Sequence, residues 1–502
     1  MQTVSGRLEM GLVVLAASVL LGCLGLGHVS GVGDAPHEQA SQTEGVPPIA
    51  VKTLGFEGET GRFIEARNTG KEGRRETERD AVGKGSKDMQ LNVLDFGAAG
   101  DGETDNTAAF QRALDAASKA RGGSVFAPTG RYSFKGSLRA PKDVALEGVY
   151  QWAPSHSGIR DKNDELPEFG TVFLVRGGAG SEEGPAFIDL DTNSVLKGVC
   201  VYYPDQTLTP PPNPYPYTIS MRGSNPAVID VELLNPYNGI KIGPGGRQYV
   251  RNVYGQPLHI GLFVDESGDC CRLENVHWNP WWTYESEMSR WQLDNGVGFI
   301  FGRSDGQYAL NTFCFNYDIG YKFIRTKAGV TYGNFSGFNA ELCHACVYVE
   351  DCCTWGILIS NGGYALLDPP RSMMVRVGPR NRGTVRFSNC AFWGPTDRCA
   401  LIEGQDIGMV CFANCTFAEW PEDRSIPPEQ CARRDPCIAA LGGSIMVRGC
   451  EFRDHKPQVH LGPGLRGAIV TDNIMHWPVD IRSEMTNGSV IENNLGLPRA
   501  NE

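Results

Sequence analysis

Four aspartates in the middle of the chain have the chemistry needed to break a glycosidic bond: Asp265, Asp269, Asp294 and Asp305. Such cleavage uses two carboxyl groups, one giving and one taking a proton, about 5 to 9.5 Å apart. His277 lies in the same segment and is a further candidate proton carrier. We predict that members of this set carry out acid–base hydrolysis. The alternative for any one aspartate is a turn residue, and for the histidine a hydrogen-bonded structural role.

Aromatic side chains crowd the same segment. Five of them lie within fourteen positions: Trp278, Trp281, Trp282, Tyr284 and Trp291. Flat aromatic faces with polar edges are surfaces on which sugar rings stack. We therefore predict that these residues bind a polysaccharide, with burial as a structural plug as the alternative.

Arg325 and Lys327 offer a different chemistry, elimination, in which a base takes the proton beside a uronate carboxylate and a cation neutralises that carboxylate. Alternate residues of one strand share a face, so the two side chains can act together. The segment RSMMVRVGPRNRGTVR adds a basic patch, whose alternative role is a solvated surface. Calcium would suit a lyase, but Asp265 and Asp269 match no known calcium loop, so no metal or other cofactor is assigned.

The chain has 16 cysteines, which in an exported protein indicates disulfides. Cys343, Cys346, Cys352 and Cys353 are close enough in sequence to pair, as are the two cysteines at 431 and 437. A zinc site at Cys343 and Cys346 lacks a second well-spaced pair of ligands.

Composition narrows the class of protein. The 502 residues are 41% apolar and 21% charged, as in a water-soluble globular chain. Glycine, at 62 residues, is well above its usual share of roughly 7%, which favours many turns. The net charge of −12 argues against nucleic acid as a partner.

The first 88 residues are predicted to be a targeting sequence followed by a linker, and not part of the folded domain. Residues 1–27 read as a signal peptide, because a short apolar stretch follows Arg7. The run ending at Cys23 resembles a bacterial lipobox, which would place a lipid anchor on that cysteine. Residues 28–88 are rich in Gly, Ser, Pro and charge and predict a disordered tether. We expect an exported protein, either a cell-envelope lipoprotein or a secreted one.

The remainder, 89–502, contains a repeat. A short phrase centred on Asn or a similar residue recurs in IDVEL, RNVYG, ENVHW, SNCAF, ANCTF, RGCEF, TDNIM and ENNLG, mostly at steps of about 21 to 25 residues. The intervals hold short Val, Ile and Phe runs and show no helical apolar period. A period of this size built from strands predicts a parallel β-helix, with rungs about 4.8 Å apart.

The repeat also predicts structural roles. Its asparagines should occupy equivalent turns, where Asn tolerates a left-handed backbone and stacked amides bond along the axis: Asn252, Asn275, Asn389, Asn414 and Asn493. Cys390, Cys415 and Cys450 share one phase and should be small fillers of an interior stack.

Residues 107–121 predict an amphipathic helix ended by Gly122 and Gly123, which would cap the open end of the solenoid. SVFAPTGRYSF then predicts two short strands around a turn. Asp101 and Asp105 are expected to be turn and cap residues.

The segment from Leu91 to Phe134 resembles the opening of the pectate-lyase-superfamily domain of rhamnogalacturonase, epimerase-like and phage tailspike proteins. The matching residues are Gly100, Asp101, Gly102, Thr104, Asp105 and Thr107, followed by Ala109, Phe110, Ala113 and Leu114. The resemblance implies an all-β, single-stranded right-handed parallel β-helix that handles polysaccharide. The Asn-Thr-Asp, Asp-Asp, Gly-His-Gly and Arg-Ile-Lys strings of polygalacturonase-type members are absent, so their catalytic residues do not transfer.

The sequence therefore predicts a polysaccharide-active β-helix protein, with hydrolysis by paired carboxylates as the first reading. Elimination is the alternative reaction. A non-catalytic glycan-binding or adhesion protein is the alternative from another class, since this superfamily includes all three.

Overall fold

The computed structural model describes residues 90–497 apart from 163, 367–371, 397, 405–406, 420–434, 455 and 487. The predicted signal peptide, Cys23 and the tether lie outside the described residues, as does the cysteine at 431.

Nearly all of the regular secondary structure in the described chain consists of short parallel strands in two sheets. The large sheet has these strands: Gln90–Asn92, Asp101–Asp105, Gly123–Phe126, Gly130–Phe134, Val144–Glu147, Thr171–Val175, Val195–Lys197, Cys200–Tyr202, Ala227–Leu233, Tyr249–Gly255, Arg272–Trp278, Asp305–Phe315, Tyr332–Glu341, Ile357–Ser360, Gly363–Ala365, Thr384–Ser388, Ala391–Trp393, Met409–Ala413, Thr416–Ala418, Gly443–Arg448, Glu451–Phe452, Leu465–Thr471, Ile474–Met475, Ser489–Glu492 and Leu495–Gly496. The small sheet has these: Leu138–Ala140, Ile188–Leu190, Tyr217–Ser224, Asn238–Gly246, Ile260–Val264, Val297–Phe301, Ile319–Phe323, Ala345–Val349, Met373–Val377, Arg398–Ile402, Ile438–Ala440, Val459–Leu461 and Ile481–Ser483.

The chain alternates between the two sheets, and each strand pairs in parallel with the strand one turn later. Arg251 faces Glu274 in the large sheet, for example, and Phe299 faces Tyr321 in the small one. The apolar side chains that point inward form one continuous core along the axis. The predicted all-β parallel β-helix is confirmed.

Helix α1, Thr107–Lys119, covers the first turn of the solenoid. Its Phe110 ring packs edge-on against Tyr132, Phe134 and Phe173, with centroids 5.2, 5.0 and 5.5 Å away. The predicted capping helix is thus confirmed, two residues shorter than expected. The Asp101 carboxylate accepts bonds from the backbone N–H groups of residues 103 and 104, which is the predicted turn role.

A second helix, α2 at Glu287–Asn295, corrects the expectation that no interval is helical. The Ser286 hydroxyl caps it by accepting from the Met288 N–H. Two 3₁₀ turns, Val93–Phe96 and Ser157–Ile159, complete the helical elements of the described residues.

The asparagines of the repeat have the left-handed backbone that was predicted. Asn252 and Asn275 have φ of 51° and 52°. The Asn275 amide donates to Asn252 Oδ1 at 2.9 Å, and the Asn252 amide donates to Asp230 Oδ1 at 2.8 Å. Amide bonds of this kind tie adjacent turns together along the axis.

The interior is filled by stacked side chains of the same type. Phe417 lies between Phe392 and Phe452, with centroids 5.0 and 4.9 Å away and nearly parallel rings. The three cysteines of the repeat are also buried, as predicted: Cys390, Cys415 and Cys450. Within the described part of the chain, no helix has the length and apolar character of a membrane span.

Candidate active site

Most of the reactive side chains near the aromatic segment, residues 278–291, lie in one row on the outer face of the large sheet. We call it the outer row, and its members lie side by side on adjacent strands. It consists of Cys200, Glu232, Tyr254, His277 and Phe313. Since paired strands lie about 4.8 Å apart, the row runs parallel to the helix axis.

Two loops, 149–170 and 279–286, lie over the beginning of this row, and we call them the cover. They are joined by Asp161, whose carboxylate accepts from the Thr283 hydroxyl at 2.7 Å and the Tyr284 N–H at 3.0 Å. Beneath them Trp282 is completely buried in a second, smaller core with Ile159 and Met288. The cover therefore forms a wall at one end of the outer row.

Glu232 is buried under the cover and is the meeting point of several donors. The His156 N–H donates to Glu232 Oε1 at 2.9 Å, and His156 Nδ1 hydrogen-bonds Oε2. The Cys200 thiol also bonds this carboxylate. Burial opposes protonation of His156, but the bond to and the charge of Glu232 outweigh it and raise the pKa of the imidazole.

Beyond the cover the outer row becomes half-buried at His277. Its ring lies among Trp281, Phe313 and Tyr254, with centroids 5.0, 4.6 and 5.7 Å away. Burial in this aromatic setting lowers the pKa of His277 to about 4, so the imidazole is neutral at pH 7. The Tyr254 hydroxyl accepts from the Asn275 amide at 2.9 Å, which leaves its own proton available.

A second outward-facing position continues the face toward the C-terminus. Phe315 faces Glu341 on the next strand, and the Tyr284 ring lies 6.0 Å from that of Phe315. Burial raises the pKa of the Glu341 carboxyl. The same face thus carries a carboxyl that holds its proton more firmly than usual and an imidazole that binds one more weakly. Burial has both effects, because it disfavours the charged form of a carboxyl and of an imidazole alike.

The predicted aspartates lie elsewhere. Asp265 and Asp269 occupy a turn that leads from the small sheet into the large one, and Asp305 is the first residue of the large-sheet strand that follows the next such turn. His277 lies near the end of its strand, at the opposite edge. Asp265 accepts from the Arg303 N–H at 2.8 Å, and Asp305 forms an ion pair with the Arg303 side chain at 2.6 Å.

Asp269 is paired with Arg247 at 2.6 Å, which lowers the pKa of this carboxyl. Its separate partner argues against a calcium bridge with Asp265. Asp294 is exposed on α2, 3.9 Å from His344. Asp265, Asp269 and Asp305 therefore do not share a site with His277 and Trp281, because the aspartates lie at the opposite ends of the large-sheet strands.

The predicted lyase residues lie in a later turn at the same edge of the large sheet, between the strands Ile319–Phe323 and Tyr332–Glu341. Arg325 forms an ion pair at 2.7 Å with the buried Asp351, to which Arg382 also comes within 3.8 Å. Lys327 is exposed two residues further on. These positions hold Arg325 in a structural pair away from the outer row.

The aromatic prediction divides into two parts. Trp278 and Trp282 are fully buried, the first inside the β-helix and the second under the cover, so the expectation that they stack on sugars is wrong. Trp281 and Trp291 are partly exposed, and Tyr284 is 47% exposed. These three keep faces that a sugar can reach.

The predicted disulfides do not form, since all fourteen described cysteines are free thiols. Cys343 and Cys346 are buried in the core as free thiols, where their side chains hydrogen-bond to each other and fill the interior. Burial raises the pKa of Cys346 well above its ordinary value.

Sequence reasoning missed Glu232, Tyr254, Cys200, His156 and Glu341. A signal for the first two was present, because they stand in the same phase of IDVEL and RNVYG as His277 in ENVHW. Equal phase in the repeat means neighbouring positions on one face. His156 had no such signal, since its position depends on a loop.

The comparisons with known proteins agree with this architecture. Residues 90–158 match the family model described as rhamnogalacturonase A/epimerase, pectate lyase-like. Alginate lyase 7 of Azotobacter vinelandii is 58% identical over 58 residues, 12% of this chain and 7% of the relative. Mannuronan C5-epimerase AlgE4 of the same organism is 46% identical over 65 residues, 12% of each chain. The chain thus spans only about a tenth of these relatives.

Among solved structures, the pre-mature gene product 12 of bacteriophage phi29 superposes with a TM-score of 0.54 at 13% identity, covering 80% of this chain and 54% of that one. A likeness at this identity concerns the fold alone. The family match is confined to residues 90–158, and the described chain continues from it as a parallel β-helix.

Proposed function

We propose that the protein is a polysaccharide-acting enzyme that hydrolyses a glycosidic bond on the outer face of the large sheet. Glu341 gives a proton to the leaving oxygen, and neutral His277 takes a proton from the attacking water. The observation that carries the proposal is that His277 and Glu341 stand on the same outer face of the large sheet, two strands apart, beside Trp281 and Tyr284.

The spacing of the two residues suits a sugar between them. Glu341 stands two strands along the axis from His277 and two residues further along its strand. With strands about 4.8 Å apart and residues about 3.3 Å apart, their backbone positions are roughly 12 Å apart. Side chains reaching toward each other can approach the 6.5–9.5 Å that leaves room for water, which favours inversion at the anomeric carbon.

Aromatic residues line the path of the polymer. Trp281 and Tyr284 border the face near His277 and Phe315, and Trp393 is 42% exposed on a later turn. An extended chain of sugars can lie along the axis across these rings. The names of the relatives, an alginate lyase and mannuronan epimerases, support a polysaccharide as the class of substrate.

Hydrolysis has more support than elimination. Elimination needs a cation beside the uronate carboxylate. The cations expected to supply it, Arg325 and Lys327, lie in the turns from the small to the large sheet, and Arg325 is already paired with Asp351. Paired aspartates as the catalytic acids have less support than Glu341 and His277, because Asp269 and Asp305 are held by arginines.

The test is product analysis on a panel of neutral and uronate polysaccharides. If the proposal is right, new reducing ends appear without the ultraviolet absorbance of an unsaturated sugar. NMR of the first product should show that the configuration at the anomeric carbon is inverted. Unsaturated products would replace hydrolysis by elimination. Binding without any change in the polymer would overturn the enzymatic proposal.

A further inference from the structure

We propose that His156, Cys200 and Glu232 form a zinc site that fastens the cover to the β-helix. Within the part of the chain that the structure describes, they are the one group of three metal-binding side chains whose ligand atoms all lie within 4.8 Å of one another. They supply one nitrogen, one sulfur and one oxygen. This mixture of donors suits zinc, whereas calcium and magnesium prefer oxygen alone.

The distances fit a small ion. Zinc binds these donors at about 2.0 to 2.3 Å, so the ligand atoms of a tetrahedral site are roughly 3.5 Å apart. Side chains whose ligand atoms are no more than 4.8 Å apart reach that separation with small rotations. Cys200 and Glu232 face each other on paired strands of the large sheet, which fixes two of the three ligands on rigid elements.

The surroundings of His156 match those of a metal-binding imidazole. Its Nε2 lies 3.2 Å from the Phe169 carbonyl oxygen and 3.3 Å from the Tyr150 hydroxyl. A histidine that binds metal commonly donates its other ring N–H to a carbonyl, which fixes the tautomer and the ring orientation. Here that bond directs Nδ1 toward Glu232, where a ligand atom is required.

The site is nearly closed to solvent. Glu232 and Cys200 are fully buried, and the His156 side chain is 8% exposed. Three protein ligands leave the fourth position of a tetrahedral zinc for a water or a further donor. Since the three side chains are almost completely buried, the role we assign to the ion is to fasten the cover. Because Tyr254 and His277 follow Glu232 in the outer row, the ion would hold the wall of the candidate active site in place.

Zinc entry displaces the protons that the three side chains share. The thiolate of Cys200, the Nδ1 lone pair of His156 and the carboxylate of Glu232 then face the ion. The released protons pass to the solvent buffer, so binding is accompanied by measurable proton release.

The experiment uses the purified protein after treatment with a chelator. Titration with Zn²⁺ against a chromophoric competitor should give one tight site per chain, and Co²⁺ should give a near-ultraviolet band from sulfur-to-cobalt charge transfer. In Cys200→Ser that band should disappear, and in His156→Gln the affinity for zinc should fall at least about 100-fold. Cys343→Ser, which removes a buried thiol elsewhere, should leave both measurements unchanged.

Circular dichroism of each variant shows whether it is folded. Cys200→Ser changes one atom in a buried position, so its folding is expected to survive. The proposal is overturned if the folded wild-type protein takes up no more zinc than Cys200→Ser, or if the cobalt band persists in that variant. Either result would leave the three residues as a hydrogen-bonded clamp without a metal.

Discussion

Tyr254 and His277 face each other on adjacent parallel strands, with ring centroids 5.7 Å apart at an angle of 70°. The contact belongs to a row that passes from fully buried Glu232 to half-buried Tyr254 and His277 on the next two strands. The packing that holds His277 also lowers the pKa of His277 to about 4. The stability of the fold and the state of the proposed base therefore depend on the same contacts.

The first prediction concerns pH and stability. His277 has a folded-state pKa of about 4 against an ordinary value of 6.5, so the unfolded chain binds more protons between these two values. We expect the protonation of His277 to lower the free energy of unfolding by up to about 3 kcal/mol as the pH falls from 6.5 toward 4. His277→Phe keeps the aromatic packing and removes this loss.

Urea unfolding of both proteins at pH 7 and pH 4.5 measures the effect. Acidic groups titrate in both proteins, so their contribution cancels in the comparison. The phenylalanine variant should gain stability relative to the wild type at the lower pH. An equal difference between the two proteins at both pH values would show that the His277 pKa is not lowered.

The second prediction separates backbone from amide contributions at the stacked turns. Asn275 has φ of 52°, and its amide donates to Asn252 and Tyr254. Asn275→Ala should lower the free energy of unfolding by about 2–4 kcal/mol, because the left-handed backbone is unfavourable for alanine and both side-chain hydrogen bonds are lost. Asn275→Gly should lower the free energy of unfolding by less, because glycine adopts the left-handed backbone without strain. Equal losses in chemical unfolding would exclude a backbone contribution.

The third prediction concerns the cap. Phe110 is fully buried among three aromatic rings at the end of the solenoid, so Phe110→Ala should reduce the free energy of unfolding by about 3–5 kcal/mol. Lys119→Ala, on the exposed side of α1, should change it by less than about 0.5 kcal/mol. Chemical unfolding compares the two. Similar values would mean that the helix does not close the core.

Much of the fold follows from local patterns. The recurring asparagines predicted the turns, and the spacing predicted the rungs, since each phrase repeats one small set of contacts. The aromatic prediction could also have been corrected from the sequence, because successive side chains of a strand point to opposite faces of the sheet. His277 and Trp278 are neighbours in one strand and must face opposite sides, so only one of them can reach a substrate. The structure turns His277 outward and Trp278 inward.

The rest of the site depends on contacts between distant segments. Trp282 is buried because loop 149–170 packs over it on the outer face. This loop lies more than a hundred residues before Trp282 in the sequence. Asp265 and Asp305 are near the tryptophans in sequence, yet they stand at the opposite ends of the strands. Local spacing does not contain these relationships, because they arise from how loops fold back on the solenoid.

The most direct test of the central claim is the turnover rate of matched variants on a polysaccharide that the wild-type protein cleaves. We expect His277→Gln and Glu341→Gln each to lower kcat by about 10²- to 10⁴-fold. Three control variants should keep nearly full activity: His460→Gln and Glu484→Gln, which alter a partly exposed pair, and Asp305→Asn at the opposite edge of the large sheet. Wild-type rates in the first two variants, or a large loss in Asp305→Asn alone, would contradict the account.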